Sequence, residues 1–146
     1  MKPGLQKGQS AELDITVTPD MEAQFGGQLV HPLYSTSALV HHMEWAARKT
    51  LLPYLETNEE GMASHVEVAH LMLTPTGMNI KIKAVVSDIR DHRIECEVEA
   101  FNCRGKVARG TIVQTVVEKK WLEQKVREFS VINGIAAGQI NCVSTV

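Results

Sequence analysis

The sequence lacks long hydrophobic runs and any strong excess of one charge. No uninterrupted apolar stretch approaches the ~18 residues that a membrane-spanning helix needs. The start, MKPGLQKGQS, is not followed by the apolar segment of a secretory signal. The formal net charge is −2, without a dense cluster of Lys and Arg. We therefore expect a protein that neither spans a membrane nor binds nucleic acid.

Cysteine is scarce and irregularly placed. The three cysteines, Cys96, Cys103 and Cys142, are an odd number and show no C-x-x-C spacing. A disulfide framework or a zinc site requires a more regular pattern. We expect reduced thiols, a cytoplasmic location and no metal site.

The bulk composition is that of an ordinary globular protein. The chain has 146 residues, of which 44% are hydrophobic and 22% are charged. This length is typical of one domain, and the sequence contains no internal repeat. We expect a single domain over 1–146, with a core at about 9–118 and a C-terminal helix and tail at 119–146.

Hydrophobic periodicity predicts one long helix and five strands. Ser35-Thr36-Ser37 offers N-cap hydroxyls to the long helix, and Pro53 limits how far the helix can extend. The segment 19–35, which contains Gly26-Gly27, shows no sustained period and is predicted to be a loop with room for one turn of helix. A short amphipathic helix is predicted from Trp121 onward. The predicted strands cover 9–18, 62–74, 78–90, 93–102 and 106–118, with turns at 58–61, 75–77 and 102–105.

The order of these elements favours an α+β architecture. Lys81 and Lys83 could lie opposite Glu95, Glu97 and Glu99, which favours antiparallel pairing. An antiparallel sheet must cover its apolar face, and the long helix is the only large element that can do so. The expected arrangement is a hot-dog fold, in which a curved five-stranded antiparallel sheet wraps one central helix. One helix covers such a sheet thinly, so we expect a homodimer.

Three segments carry a resemblance to a known family. MEWAARKTLLPYLE (43–56), VEVAHLMLTPTG (66–77) and GTIVQTVV (110–117) resemble the fluoroacetyl-CoA thioesterase-like branch of the hot-dog superfamily. The resemblance extends over roughly residues 30–118. It implies hydrolysis of a short or unusual acyl-CoA to the free acid and CoA, at a site on a dimer interface. CoA is then part of the substrate, and no separate cofactor or metal is implied.

The resemblance also assigns site residues. It implies catalytic roles for Thr36, Glu44 and His70, and substrate-binding roles for Tyr34, Ser37 and Gly110. After Gly110-Thr111 the family usually has polar and basic residues, whereas this sequence continues with Ile112 and Gln114. The loop before the helix offers only Phe25 and Tyr34 as aromatic residues near the substrate.

The residues themselves allow a plainer interpretation of each assignment. Glu44 lies between Met43 and Trp45 in an apolar segment, and is either a buried base or part of an exposed stripe. His70 falls on the apolar face of its strand and could be a core histidine. Thr36 could be only the N-cap. Thr36 and Glu44 are eight residues apart, about 12 Å along a helix, so one straight helix cannot bring them together.

Two other functions stay open at this point. His31 in the loop and Glu44 on the helix could form the catalytic pair of a hot-dog dehydratase acting on a 3-hydroxyacyl thioester. A non-catalytic hot-dog protein that binds acyl-CoA is the third possibility. His41 and His42 are expected to be exposed on the helix, and with His65 they do not form a convincing metal set.

Overall fold

The computed structural model describes residues 1–133 and contains seven strands and two helices. Short 3-10 turns follow β1 and α1, at Pro19–Met21 and Leu52–Tyr54. In chain order the elements are β1 (Ser10–Thr16), β2 (Glu22–Phe25), β3 (Gln28–Tyr34), α1 (Thr36–Leu51), β4 (Glu59–His70), β5 (Asn79–Arg90), β6 (Arg93–Asn102), β7 (Gly105–Glu118) and α2 (Lys119–Asn133). Within these residues no helix is long and apolar enough to cross a membrane. Cys142 and the end of the predicted tail lie outside the described residues.

Five of the strands form one antiparallel sheet in the order β1-β5-β6-β7-β4. Its inner face is apolar, because alternate residues of each strand point to the same side. On β6 this face presents four fully buried residues, Ile94, Cys96, Val98 and Ala100. The sequence prediction of one long helix against a five-stranded antiparallel sheet is therefore confirmed.

The outer face of the sheet carries rows of alternating charge. Lys83 of β5 lies opposite Glu99 of β6, as predicted. Lys81 lies instead opposite Phe101, and its ammonium group approaches Glu12 and Asp14 of β1 at 3.5 and 3.7 Å. This charged face stays in water, so the apolar core lies between the inner face and α1.

Helix α1 begins at Thr36 because Ser35 caps it. The Ser35 hydroxyl accepts a hydrogen bond from the backbone N–H of Ala38 at 3.1 Å. The helix buries the side chains that recur every three or four residues against β1 and β5, with Pro53 just beyond its end. These side chains are Leu39, His42, Met43, Ala46, Ala47, Thr50 and Leu51.

The expectation that both His41 and His42 are exposed is wrong for His42. Its side chain is only 7% exposed, whereas His41 lies on the open side of the helix. Position 42 follows Leu39 by three residues and precedes Ala46 by four, which places it on the buried stripe.

Residues 19–35 are a hairpin rather than the predicted loop. Strands β2 and β3 form a separate two-stranded sheet after a short 3-10 turn. Gly26 and Gly27 connect the strands with φ angles of 59° and 77°, values that suit a tight two-residue hairpin turn. The hairpin leaves Phe25, Leu29 and Val30 exposed, so the alternation that would have predicted its strands is missing.

The remaining boundaries agree closely with the sequence prediction, with one shift. Strand β4 begins at Glu59 and ends at His70, whereas the pattern predicted a strand over 62–74. A bulge between Ala63 and His65 explains part of the difference, because it interrupts the alternation of the pattern. Helix α2 confirms the amphipathic segment that begins near Trp121.

Candidate active site

The structure brings together Thr36 and His70, two of the three predicted catalytic residues. Thr36 is the first residue of α1, and His70 is the last residue of β4. Thr36 Oγ1 and His70 Nδ1 share a hydrogen bond of 3.0 Å. Ser35 already caps the helix, so the hydroxyl of Thr36 is left for His70. The N-cap interpretation of Thr36 is therefore wrong, and its catalytic role stays a prediction.

The imidazole of His70 is half-buried. Its Nε2 atom is buried and has no hydrogen-bond partner within residues 1–133. Burial lowers the pKa of His70 below its ordinary value, the main chain at Met72 opposes this shift, and the nearby His31 adds to it. His70 is consequently a neutral imidazole at neutral pH, the form that can accept a proton.

Tyr34 lies behind His70, and its hydroxyl points into the protein. The side chain is 1% exposed, and the hydroxyl shares a 2.8 Å hydrogen bond with Nδ1 of His42. The rings of Tyr34 and His42 stack at a centroid distance of 5.9 Å, and the ring of Tyr34 meets that of His70 edge to face at 6.4 Å. Both the ring and the hydroxyl of Tyr34 are buried in this chain, and its role in binding substrate stays a prediction.

The N-terminus of α1 offers hydrogen-bond donors beside this pair. The first N–H groups of a helix have no partner within the helix. Ala38 donates to the Ser35 hydroxyl and Leu39 to the Ser35 carbonyl, while the N–H groups of Thr36 and Ser37 have no partner within the described part of the chain. Ser37 is exposed, and its hydroxyl lies 3.2 Å from that of Ser35. The substrate-binding role of Ser37 stays a prediction that these free donors support.

Glu44 lies further along α1, in a groove of its own. It is half-buried and lines an open groove together with His41, Trp45 and Arg48. Arg48 does not pair with it, because this guanidinium binds Glu60 at 2.6 Å and the carbonyl of Gly61 at 2.9 Å. Among residues 1–133, Glu44 has no hydrogen bond or ion pair. The structure therefore does not join Glu44 to Thr36 and His70 within one chain.

Gly110 has a packing role that does not depend on a substrate. It pairs with Val68 of β4 and Val98 of β6, where the strands approach closely. A Cβ atom at this position would lie 2.2 Å from the carbonyl oxygen of Glu67. Only glycine fits this contact, and a contribution of Gly110 to substrate binding stays a prediction.

The structure also gives the position of His31 and of the side chains that could bind a metal ion. His31 is exposed on β3, opposite Ala23, and no hydrogen bond joins it to Glu44 in the described structure. Residues 1–133 contain no group of three His, Cys, Asp or Glu side chains arranged to hold a metal ion. Cys96 is buried and Cys103 is exposed, and both are free thiols.

The sequence interpretation missed the pair of Tyr34 and His42. The signal was available, because His42 falls on the apolar stripe of α1 and a buried imidazole requires a hydrogen-bond partner. The partner could not be identified from the sequence, since Tyr34 lies in the segment predicted as a loop.

The long helix, the five-stranded antiparallel sheet and the polar pair at the helix N-terminus define a hot-dog protein of the thioesterase type. The crystal structure of a thioesterase superfamily member from Thermus thermophilus is similar, with a TM-score of 0.86 and 34% identity. The match covers 90% of this chain and 98% of that one. A crystal structure of the fluoroacetyl-CoA thioesterase FlK gives a TM-score of 0.80 at 24% identity, covering 86% of this chain and 97% of FlK.

Sequence comparison identifies the family. The model of the fluoroacetyl-CoA-specific thioesterase family matches residues 17–120. The fluoroacetyl-CoA thioesterase of Streptantibioticus cattleyicolor is 25% identical over 138 residues, which cover 88% of this chain and 96% of that protein. The chain belongs to this family and is a thioester hydrolase, which confirms the resemblance in the sequence.

Proposed function

We propose that this protein hydrolyses a short or unusual acyl-CoA to the free acid and CoA, without a metal ion. The observation that carries the proposal is the 3.0 Å contact between Thr36 Oγ1 and His70 Nδ1, next to the free N–H groups of α1. This arrangement offers a neutral proton acceptor, a hydroxyl and backbone donors at one place. A thioester carbonyl requires these groups during hydrolysis.

The proposed reaction assigns a role to each group. The N–H groups of Thr36 and Ser37 donate hydrogen bonds to the thioester oxygen and stabilise the negative charge that develops there. Glu44 either takes a proton from water as the water oxygen bonds to the carbonyl carbon, or attacks that carbon itself. In the first route the proton passes from Glu44 to the neutral imidazole of His70, and the resulting imidazolium delivers it to the CoA thiolate as the carbon–sulfur bond breaks. In the second route the thiolate leaves as the glutamyl anhydride forms, and His70 takes a proton from the water that hydrolyses this anhydride and passes it to the thiolate. Thr36 orients the water or the carbonyl.

In this proposal Glu44 comes from a second copy of the chain. Eight residues of α1 separate it from Thr36, which corresponds to about 12 Å. Helix α1 runs antiparallel to β4, since Thr36 contacts His70 at one end and Arg48 contacts Glu60 at the other. A two-fold axis near the middle of β4 would therefore bring Glu44 of one protomer toward the Thr36 and His70 pair of the other.

The surface around β4 supports this homodimer. Strand β4 has 12 residues and lies at the edge of the sheet, with main-chain groups available to another strand. Trp45 on the adjacent side of α1 is 47% exposed, and Met62 and Val66 on β4 are 42% and 39% exposed. A second copy that pairs with β4 would cover all three side chains. We propose a dimer with two active sites at this interface.

The reaction is tested by measuring free-thiol release from a panel of acyl-CoAs, from acetyl and haloacetyl to medium-chain and aryl esters. We expect turnover of at least one ester, and strong losses in Glu44→Gln and His70→Ala. Near wild-type rates in both variants would refute the assignment of these residues. If the wild type releases no thiol, enoyl-CoA absorbance tests the dehydratase alternative and stoichiometric binding of CoA esters tests the non-catalytic one.

The shared site is tested by mixing two inactive variants. Glu44→Gln and His70→Ala protomers are unfolded and refolded together, so that mixed dimers form. If each site takes Glu44 and His70 from different protomers, each mixed dimer contains one intact site, and about a quarter of the wild-type activity returns. If both residues act within one protomer, the mixture stays inactive.

The proposed compartment is the cytoplasm. The free thiols of Cys96 and Cys103 are compatible with a reducing environment. CoA enters as part of the substrate, so we propose no separate cofactor.

A further inference from the structure

We propose that Tyr34 is a positioning residue for His70, and that His42 acts through the Tyr34 hydroxyl to hold the tyrosine ring in place. The inference rests on the proposed function, because His70 is the proton shuttle in that reaction. Neither Tyr34 nor His42 takes part in the chemistry itself.

His70 lies at the end of a strand, at the edge of the sheet. His70 is paired with Ala108 of β7, and β4 does not extend beyond it. The strand therefore does not continue past His70 within its own chain, and the groups packed against the imidazole must fix its orientation. Thr36 holds one ring atom, Nδ1, and a single hydrogen bond leaves the imidazole free to tilt about it.

Tyr34 supplies the second contact. Its ring meets the His70 ring edge to face, at a centroid distance of 6.4 Å and an interplanar angle of 79°. This geometry is within the range that aromatic rings prefer. Together, the Thr36 hydroxyl and the Tyr34 ring constrain both the direction and the tilt of the imidazole.

His42 fixes the tyrosine ring in turn. The phenol hydroxyl and Nδ1 of His42 share a 2.8 Å hydrogen bond, and the two rings stack with an interplanar angle of 21°. His42 belongs to the buried stripe of α1, which packs against β1 and β5. Tyr34 belongs to the hairpin β2–β3, and its contacts with His42 fix its position relative to α1. The same helix carries Thr36.

Several titratable groups lie near His70 and His42 and influence a pH titration of these two histidines. His31 and Tyr34 on β3 face His70, and His41 and Asp20 lie close enough to His42 to affect its charge. Burial raises the pKa of Tyr34 above its ordinary value, so the phenol stays protonated throughout the working range. Tyr34 therefore adds no protonation change of its own to the pH dependence of the His70 signal.

Three variants separate the ring from the hydroxyl. Tyr34→Leu removes both, Tyr34→Phe removes only the hydroxyl, and His42→Leu removes its partner. In Tyr34→Leu we expect kcat to fall about tenfold with little change in KM, since a small misplacement of a catalytic group is costly. We also expect the titration midpoint of the His70 imidazole, followed by NMR of the unliganded protein, to move up toward that of an exposed histidine.

Tyr34→Phe and His42→Leu keep an aromatic ring at position 34 and test the hydrogen bond between the Tyr34 hydroxyl and His42. Each is expected to lower kcat by a smaller factor, and the double variant by no more than either single one, because both remove the same hydrogen bond. His92→Gln, which changes an exposed histidine in the turn between β5 and β6, serves as the control and should leave kcat and the His70 midpoint unchanged.

Two results would overturn the proposal. In the first, Tyr34→Leu folds and loses thermal stability, but keeps the His70 midpoint and kcat of the wild type. In the second, Tyr34→Phe and His42→Leu have independent, additive effects on kcat. The NMR titration requires no substrate, so it distinguishes a failure of this proposal from a failure of the proposed reaction.

Discussion

The hydroxyl of Thr36 lies 3.0 Å from Nδ1 of His70, across 34 positions of the sequence. The contact exists because the N-terminus of α1 and the C-terminal end of β4 lie at the same end of the fold. Ser35, the residue before Thr36, stabilises the helix start through its own hydroxyl. Two adjacent hydroxyls therefore serve different purposes, one structural and one directed at the imidazole.

Substitution of these two residues should separate stability from activity. Ser35→Ala removes the cap and is expected to lower the free energy of unfolding by about 1 kcal/mol, with thiol release little changed. Thr36→Val keeps the shape of the side chain and removes only the hydroxyl. We expect it to reduce kcat by about tenfold or more, with unfolding nearly unchanged.

Thr36→Ser provides the matched control, since it keeps a hydroxyl at the same position and should retain most of the activity. Urea unfolding and steady-state thiol release measure the two properties. Equal activity of the valine and serine variants would show that the hydroxyl has no role in turnover.

The sequence predicts the scaffold of this site better than its details. Strong periodicity defined α1 and strands β5 to β7, and the resemblance pointed to Thr36 and His70. The cap assignment between Ser35 and Thr36 depends on backbone geometry at the helix start, which neighbouring hydroxyls do not reveal. The hairpin β2–β3 was missed because its apolar residues, such as Phe25 and Leu29, are exposed and leave no alternation.

Stability should fall in mildly acidic solution because the folded protein holds His42 buried and His70 half-buried, which favours their neutral forms. Burial lowers the pKa values of both His42 and His70 below 6.5, so between these values and 6.5 the unfolded chain binds more protons than the folded one. The stability is then complete above pH 6.5 and is lost progressively as the pH falls through that window. We expect Tm to decrease from pH 7.5 to pH 5.

The shifted carboxylates Glu59, Glu60 and Asp88 do not obscure this window. The pKa values of Glu59 and Glu60 are lowered from 4.5, and the ion pairs of Asp88 with Lys7 and Arg90 lower its pKa to about 2, so these groups titrate at more acidic pH. The double variant His42→Gln/His70→Gln should show a flatter dependence of Tm on pH between 7.5 and 5. A wild-type Tm that does not change over this range would contradict the prediction.

Gln114 should be replaceable by an apolar residue with a gain in stability. The side chain is 1% exposed on the inner face of β7, and neither its amide oxygen nor its amide nitrogen has a hydrogen-bond partner within residues 1–133. Burying an unpaired amide costs about 1–3 kcal/mol. Met has a similar shape without this cost, so Gln114→Met is expected to raise the free energy of unfolding by about 1 kcal/mol.

Urea unfolding at pH 7.5 measures the effect, and Gln114→Glu is the opposite control, expected to destabilise because it places a charge in the same apolar position. If Gln114→Met is less stable than the wild type, the amide has a partner in the folded protein, and the assumption of an unpaired group fails.

Gly110 and Gly61, two glycines of the paired strands β7 and β4, can show whether Gly110 serves packing or substrate binding. At Gly110 a Cβ atom would lie 2.2 Å from the main-chain oxygen of Glu67, so the strands must separate to accommodate it. At Gly61 the nearest atom is the Cδ1 of Leu51 at 3.0 Å, the end of a side chain that can rotate away. We therefore expect Gly110→Ala to cost about 3 kcal/mol or more, and Gly61→Ala about 1 kcal/mol or less. Urea unfolding measures both, and a Gly110→Ala variant that keeps full stability but loses thiol release would instead favour direct contact of Gly110 with the substrate.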